Sequence, residues 1–220
     1  MHLSVTEIVH DLVRTHLKPG DTAFDGTAGN GHDTLFLAQC VGPTGRVLAW
    51  DIQPLAIERT AALLAKYGIS WVELKLGDHA EFETLLPRVS DWPVRCGDTF
   101  FNVSEKLFRH DLSDTLRNVS PQFAAAIFNL GYLPASDRTI STTTTQSLRA
   151  ISASVERLAP GGILTVLAYT GHAGGREEAE AIHNFLRGMS FGDFHLDEVP
   201  IPGGRSSPPR LFALVRRLLL

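Results

Sequence analysis

Residues 23–34 read AFDGTAGNGHDT, and this stretch determines how the rest of the chain is interpreted. Asp25 ends an apolar segment of strand type, and Gly29 and Gly31 follow it with the spacing D-x-x-x-G-x-G. Glycines allow the backbone to bend sharply and to approach a ligand closely. The next segment is expected to be a helix, whose first N–H groups carry positive potential. The pattern therefore predicts a strand, a tight turn and a helix that surround a bound ligand.

The first third of the chain alternates between predicted strands and predicted helices. TAFD (22–25), RVLAWD (46–51) and WVELKL (71–76) are typical of strands, and the segments at about 33–38 and 57–68 are typical of helices. Short connections in a β-α-β-α-β order indicate a parallel sheet that is covered by helices on both faces.

The second half of the chain completes the same architecture. Its predicted elements, in order, are a strand at 123–128, a helix at 145–158, a strand at 162–169, a helix at 175–189, and a closing antiparallel pair at 194–201 and 210–217. We therefore expect one α/β domain over residues 1–220. It should be doubly wound and Rossmann-like, with a mostly parallel seven-stranded sheet and a C-terminal antiparallel strand.

Residues 89–120 interrupt this alternation. Trp92, Phe100, Phe101 and Phe108 lie among charged residues there, so we expect an ordered segment. We interpret it as an inserted loop-and-helix excursion before the fourth strand.

The N-terminal segment VTEIVHDLVRTHL (5–17) has apolar residues at helical spacing, and Ser4 and Glu7 are placed to form a capping box. His, Glu and Asp among its apolar residues argue against a signal peptide and against a membrane span. We therefore expect a cytoplasmic protein that has no membrane partner.

Composition limits the functions that the chain can have. Its 220 residues suit one domain, and a net charge of −4 gives no global footprint of a nucleic-acid binder, although a local basic patch can suffice. The two cysteines, Cys40 and Cys96, form neither a disulfide framework nor a CxxC motif, so no metal site is predicted.

Asp51 ends the second strand, where a carboxylate can accept hydrogen bonds from both hydroxyls of a ribose. This position indicates a nucleoside cofactor. The dinucleotide fingerprint G-x-G-x-x-G is not matched, and the acids Asp25 and Asp33 would repel a pyrophosphate. They suit S-adenosylmethionine, which has a cationic amino-acid end. A dinucleotide and a merely structural turn remain the alternatives.

The residues expected to bind this cofactor follow the ends of the first four strands. They are Asp25, Thr27, Gly29, Asn30, Gly31, Asp33, Thr34, Asp51, Ile52, Gln53, Asp78, His79 and Asn129. Asp78 and His79 belong to GDHAEF (77–82), which follows the third strand, where such folds hold an adenine. A solvated loop position is the alternative for His79.

The stretch FNLGYLP (128–134) leaves the fourth strand at the predicted switch in strand order. Ligands of doubly wound sheets lie at that switch, so this stretch should face the glycine turn. The Asn129 amide and the Leu130 carbonyl can accept hydrogen bonds from an amine, and Tyr132 offers a flat face to a base. A simple turn is the alternative, because Asn and Gly tolerate positive φ.

Five motifs together resemble the rRNA methylase family: DGTAGNGHDTLFLA, AWDIQ, FNLGYLP, YTGHAGGREE and PPRLFALV. The resemblance covers roughly residues 20–88 and 121–217 and implies a class I methyltransferase fold with S-adenosylmethionine as cofactor. Members of this family include methyltransferases of the tRNA wobble uridine. The resemblance thus implies N-methylation of the 5-aminomethyl group at uridine 34, with the tRNA anticodon stem-loop as partner. A homodimer is also expected, because so small an acidic domain offers little surface to a tRNA.

Methyl transfer to an amine requires the neutral amine, so the site needs desolvation, a base or both. His32 in GNGHDT and His172 in YTGHAGG are the candidate bases, while Asn129 and Leu130 orient the lone pair and Tyr132 completes the catalytic set. A structural role is the alternative for each histidine. The residues expected to contact the RNA are Tyr132, Tyr169, Arg138, Thr144 and Arg205.

Three other functions stay open on the sequence alone. The acceptor could be an rRNA base or a small amine, the chain could be a non-catalytic module that binds S-adenosylmethionine or RNA, or it could be a dinucleotide-dependent oxidoreductase.

Overall fold

A computed structural model describes residues 4–77, 94–96, 99–101, 122–131, 143–190, 192–201 and 207–218. The strands are β1 (Thr22–Asp25), β2 (Arg46–Asp51), β3 (Val72–Leu76), β4 (Val94–Cys96), β5 (Thr99–Phe101), β6 (Phe123–Leu130), β7 (Leu158–Ala168), β8 (Phe194–Val199) and β9 (Arg210–Arg216). The helices are α1 (Val5–Arg14), α2 (His32–Val41), α3 (Pro54–Lys66), α4 (Thr144–Glu156) and α5 (Gly175–Met189).

Seven of these strands form one sheet in the order β3-β2-β1-β6-β7-β9-β8. All neighbouring pairs from β3 to β7 are parallel, and β9 is antiparallel to both β7 and β8. The strand order reverses between β1 and β6, so the carboxyl ends of these two strands border a crevice in which a ligand can bind. The predicted fold class is confirmed.

Strand β6 extends further than its apolar sequence suggested. It continues through Asn129 and Leu130, which are in register with Leu167 and Ala168 of β7. Asn129 is therefore held by the sheet ladder instead of belonging to a turn. Gly131, the residue that follows, is buried.

Residues 94–96 and 99–101 form strands that the loop-and-helix prediction did not include. Strands β4 and β5 pair antiparallel in a separate two-stranded sheet, with Cys96 opposite Thr99. The sequence signal was the Gly97-Asp98 pair between two β-prone triplets, a typical hairpin linker. The remainder of the 89–120 excursion lies outside the described residues.

Helix α1 packs beside α2 on one face of the sheet. Ser4 and Glu7 form the predicted capping box, which fixes where the helix begins. Its buried residues Val9 and Val13 join an apolar cluster with Phe36 and Leu37 of α2. This packing holds the next residue after Val9, His10, against the first turns of α2. The larger core, around Phe24, Trp50, Phe123, Phe128 and Phe212, fills the opposite face.

None of the helices in the described part of the chain is both long enough and apolar enough to cross a membrane.

Candidate active site

The turn that follows β1 is built around a buried carboxyl group. The Asp25 side chain is fully buried; its Oδ1 accepts a hydrogen bond from the Thr27 N–H (3.1 Å) and its Oδ2 accepts one from the Thr34 hydroxyl (2.6 Å). Thr34 is also fully buried, in the first turn of α2. Asp25 and Thr34, predicted as cofactor ligands, thus join the strand, the turn and the helix to one another.

Two glycines are required by the space available in this turn. A Cβ on Gly26 would lie 2.2 Å from a ring carbon of Phe128, well inside van der Waals contact. Gly31 precedes α2 with φ +83, and a Cβ there would lie 2.9 Å from the Thr60 backbone. Any larger residue would push the turn away from β6 and α3. The close approach of backbone that the sequence pattern predicted is therefore present.

Asp51 ties the glycine turn to the end of β2. Its Oδ2 accepts a hydrogen bond from the Gly29 N–H and its Oδ1 accepts one from the Gln53 N–H, each at 2.9 Å. The side chain is only partly buried. A carboxylate oxygen accepts more than one hydrogen bond, so the group is of the type that accepts hydroxyl donors. Ile52 follows with its apolar side chain 49% exposed, as a contact surface for a nucleoside would be.

Asn129 faces the glycine turn from β6. Its backbone N–H donates to Thr27 Oγ1 (2.7 Å), and its side-chain Nδ2 donates to Asp33 Oδ2 (2.5 Å). Asp33 Oδ1 in turn contacts Nε2 of His10 at 2.6 Å. His10, on α1, was not predicted as a site residue. No local pattern marks it, because it reaches the site only through the packing of α1 on α2.

Three carboxyl groups crowd this end of the sheet. Burial, together with the negative charges of Asp33 and Asp51, raises the pKa of Asp25 from 3.8 to about 7. The negative potential of Asp33 and Asp51 disfavours a pyrophosphate and favours a ligand that carries positive charge. The residues present therefore fit S-adenosylmethionine better than a dinucleotide.

His172 lies on the same rim as Asn129. A Cβ on Gly131 would come within 3.8 Å of His172 Nε2 and within 3.5 Å of the Tyr169 side chain. His172 Nδ1 is 3.0 Å from the Ala173 carbonyl oxygen. A carbonyl only accepts, so this contact places the proton on Nδ1 and makes Nε2 the basic nitrogen of the ring. Tyr169 is 39% exposed beside it.

Only some of the other predicted site residues lie in the part of the chain that the structure describes. His32, the first residue of α2, is exposed, and the Asn30 side chain accepts a hydrogen bond from Arg59 of α3 (3.0 Å). Thr144 begins α4 and is half-buried, after the N-cap residue Thr143. Asp78, His79, Tyr132, Arg138 and Arg205 lie outside the described residues.

Comparison with known proteins assigns the family. The model of the family described as "Putative rRNA methylase" matches residues 47–214, which include the β6 side of the crevice. The chain belongs to this rRNA methylase family. The predicted methyltransferase class is confirmed by that membership, and one domain over residues 1–220 stays a prediction.

Individual members of the rRNA methylase family and related structures are similar over most of the chain. A protein of Arabidopsis thaliana named tRNA (mnm(5)s(2)U34)-methyltransferase, chloroplastic, is 33% identical over 196 residues, which are 86% of this chain and 61% of that protein. The chain therefore spans about three fifths of that relative. The "putative rRNA-methylase" structure from Clostridium thermocellum has a TM-score of 0.78 at 30% identity and covers 98% of this chain and 99% of its own. The "putative methyltransferase" of Streptococcus mutans, solved with SAH, has a TM-score of 0.74 at 28% identity and covers the same shares.

The buried carboxyl group of Asp25 predicts a specific pH dependence of stability. Its pKa is about 7 in the folded protein and near 3.8 when unfolded, so between these values the folded state holds a proton that the unfolded state has released. The free energy of unfolding should therefore fall as pH rises from about 4 to 7, at a rate approaching about 1.4 kcal/mol per unit, and level off above that window.

Asp25→Asn removes this titration and keeps the shape of the side chain. Urea unfolding of both proteins at pH 5, 6, 7 and 8 isolates the effect, since all other carboxyl groups are shared. The wild type should lose stability relative to Asp25→Asn as pH rises to about 7. Parallel curves would contradict the buried, protonated carboxyl.

Proposed function

We propose that this methyltransferase N-methylates the 5-aminomethyl group of uridine 34 in tRNA. The observation that carries the proposal is the orientation of the Asn129 amide beside the glycine turn. An ionised Asp33 can only accept, so Asn129 must present its NH₂ group to it. The Oδ1 atom is then the acceptor that remains for an incoming group. A nitrogen with an N–H to donate suits this atom.

The acceptor nitrogen must lose its charge before it reacts. An alkylammonium with a pKa near 10 requires about 4 kcal/mol to deprotonate at pH 7, at about 1.4 kcal/mol per unit. Burial of the amine at the end of β6 contributes to this, because Leu130 and Gly131 beside Asn129 are buried. A hydrogen bond from an amine N–H to Asn129 Oδ1 would direct the lone pair of the amine, since positioning supplies much of the catalysis in a displacement reaction. The Leu130 carbonyl accepts from the Tyr169 N–H (3.1 Å), so a second hydrogen bond from the amine would have to share this oxygen.

The cofactor supplies an electrophilic methyl group on a sulfonium. The residues that would hold it are those around the turn: Asp51 for the ribose hydroxyls, Gly29 and Gly31 for close backbone approach, Ile52 for the nucleoside, and Asp33 for the cationic amino-acid end. The Streptococcus mutans structure with SAH supports this assignment, because it shares the fold over nearly the whole chain.

His172 is the better of the two predicted bases. Its Nε2 lies beside Gly131, next to the atoms that would receive the amine, whereas His32 is exposed at the start of α2. We therefore assign His172 to accept the proton from the amine.

The acceptor class is supported by the Arabidopsis thaliana relative, whose name specifies the wobble position of tRNA. The anticodon stem-loop is accordingly the proposed partner, with Tyr169 available to stack on a base at the rim. Tyr132, Arg138, Thr144 and Arg205 remain the proposed contacts to the RNA. The cytoplasm remains the proposed compartment, and a homodimer the proposed assembly.

An rRNA base is the second candidate acceptor, because the description of the family names rRNA. The two acceptors differ chemically: the aminomethyl nitrogen of uridine 34 is a basic alkylamine, whereas ring and exocyclic nitrogens of the standard bases are not. A tRNA with and without the aminomethyl group therefore separates them.

Asn129→Ala should decrease kcat by about 10²-fold, because a reactant displaced by about 1 Å reacts that much more slowly. The assay follows methyl transfer to two otherwise identical tRNAs, one bearing 5-aminomethyl-2-thiouridine and one bearing unmodified uridine 34. The wild type should methylate only the first. Calorimetric titration with S-adenosylhomocysteine reports cofactor affinity separately, and this should change much less than kcat. An unchanged kcat in Asn129→Ala, or methylation of both tRNAs, would contradict the proposal.

His172→Ala should decrease kcat most at low pH, where the amine is charged. The kcat of the variant should approach that of the wild type as the pH approaches the pKa of the amine near 10. His32→Ala is the matched control, with a profile parallel to that of the wild type. The measurement is kcat from pH 6.5 to 9.5 on the aminomethyl tRNA. A His172→Ala enzyme with unchanged turnover throughout would remove this histidine from the mechanism.

A further inference from the structure

His10 contacts the site from a helix that lies outside the β-α units of the sheet. Its Nε2 is 2.6 Å from Asp33 Oδ1, and the side chains of His10 and Asp33 are only 18% and 14% exposed. The imidazole also stacks on the Phe36 ring, with 3.8 Å between centroids and 4° between planes. Asp33 and Phe36 are three residues apart on α2, so both lie on the helix face that meets α1. The stack fixes the ring plane and so directs Nε2 at Asp33.

The two oxygens of Asp33 are thereby used by two different elements. Oδ1 accepts from His10 on α1, and Oδ2 accepts from the Asn129 amide on β6. A carboxylate held at both oxygens has a fixed orientation. Without the donor on α1, the carboxylate could rotate, and the Asn129 amide would lose the partner that determines which of its two ends faces the crevice.

We propose that His10 is a positioning residue for methyl transfer, which holds Asp33 so that the Asn129 amide keeps Oδ1 directed at the acceptor. The nature of that acceptor, an amine, rests on the proposed function. The orientation of the amide does not, because it follows from the contacts among His10, Asp33 and Asn129 alone.

The stack on Phe36 raises a purely structural alternative, in which the ring of His10 merely fills space between α1 and α2. Two variants separate these roles. His10→Phe keeps an aromatic ring against Phe36 and removes the N–H donor. His10→Gln removes the ring and keeps an N–H group at a similar distance along the side chain.

The first measurement is the ¹⁵N–¹H spectrum of the Asn129 side-chain amide in the complex with S-adenosylhomocysteine, assigned by its absence in Asn129→Ala. His10→Phe should speed solvent exchange of these amide protons by about 10-fold or more, whereas His10→Gln should stay close to the wild type.

The second measurement is steady-state kinetics. Loss of a hydrogen bond that orients a ligand-contacting group lowers activity by about 10- to 100-fold. His10→Phe should show this decrease in kcat, with KM within about 3-fold of the wild-type value. His10→Gln should recover most of kcat.

Each outcome decides the proposal. A His10→Phe protein with wild-type amide exchange and kcat would overturn it, as would a His10→Gln protein that is as impaired as His10→Phe, because the ring would then matter more than the donor. If His10→Phe does not fold, His10→Leu takes its place as the variant without a donor; wild-type amide exchange in that protein would equally overturn the proposal, and faster exchange would support it. If the amide responds as expected while the wild type leaves the aminomethyl tRNA unmethylated, the proposed function fails and the positioning role stands.

Discussion

The hydrogen bonds of one buried carboxyl group hold the crevice end of this protein together. Asp25 stands at the end of β1, and its oxygens reach the backbone of the turn at Thr27 and the hydroxyl of Thr34 in α2. The Thr27 hydroxyl then accepts from the backbone of Asn129, so the same turn is attached to β6. The cost of burying the carboxyl is reduced because it retains its proton near neutral pH. The glycine turn, the start of α2 and the end of β6 therefore form one rigid unit.

This unit also explains why the predicted cofactor residues divide into two groups. Asp25, Thr27, Thr34 and Asn30 hold the turn in place through side-chain contacts within the protein. Asp51 is a half-buried acceptor that meets the backbone at Gly29 and Gln53, and its exposed part is suited to contact a ligand directly. A sequence motif does not distinguish these groups, because residues of both kinds are polar and adjacent in the chain. The division depends on burial, which only the folded chain determines.

Much of the fold was predictable from local sequence. β1, β2 and α5 have the predicted bounds, because apolar runs with clear polar or glycine boundaries mark them. Helix α3 begins at Pro54, earlier than expected, since proline is favoured in the first turn of a helix. Strand β7 begins at Leu158, within what was predicted as the end of a helix and a loop, and its register shifts near Phe123 and Ala125 to accommodate the Ala-Pro-Gly-Gly segment. Such a shift depends on the partner strand and has no local signal.

The candidate site was predictable where its residues follow strands, and was missed where a helix brings a residue in from elsewhere. Asp33, Asp51 and Asn129 were expected to converge because the carboxyl ends of parallel strands meet at one edge. His10 was missed since the periodicity of α1 shows only that the helix is amphipathic, and not which residue of α2 it contacts. The contact arises from packing between elements.

The proposed function depends most on which acceptor the site methylates, and the nucleosides of total tRNA report this directly. Mass spectrometry of tRNA from the source cells, with the gene intact and deleted, measures 5-methylaminomethyl-2-thiouridine and its 5-aminomethyl precursor. Deletion should abolish the methylated nucleoside and accumulate the precursor, and a gene encoding Asn129→Ala should restore little of it. An unchanged amount of 5-methylaminomethyl-2-thiouridine after deletion would contradict the proposed function.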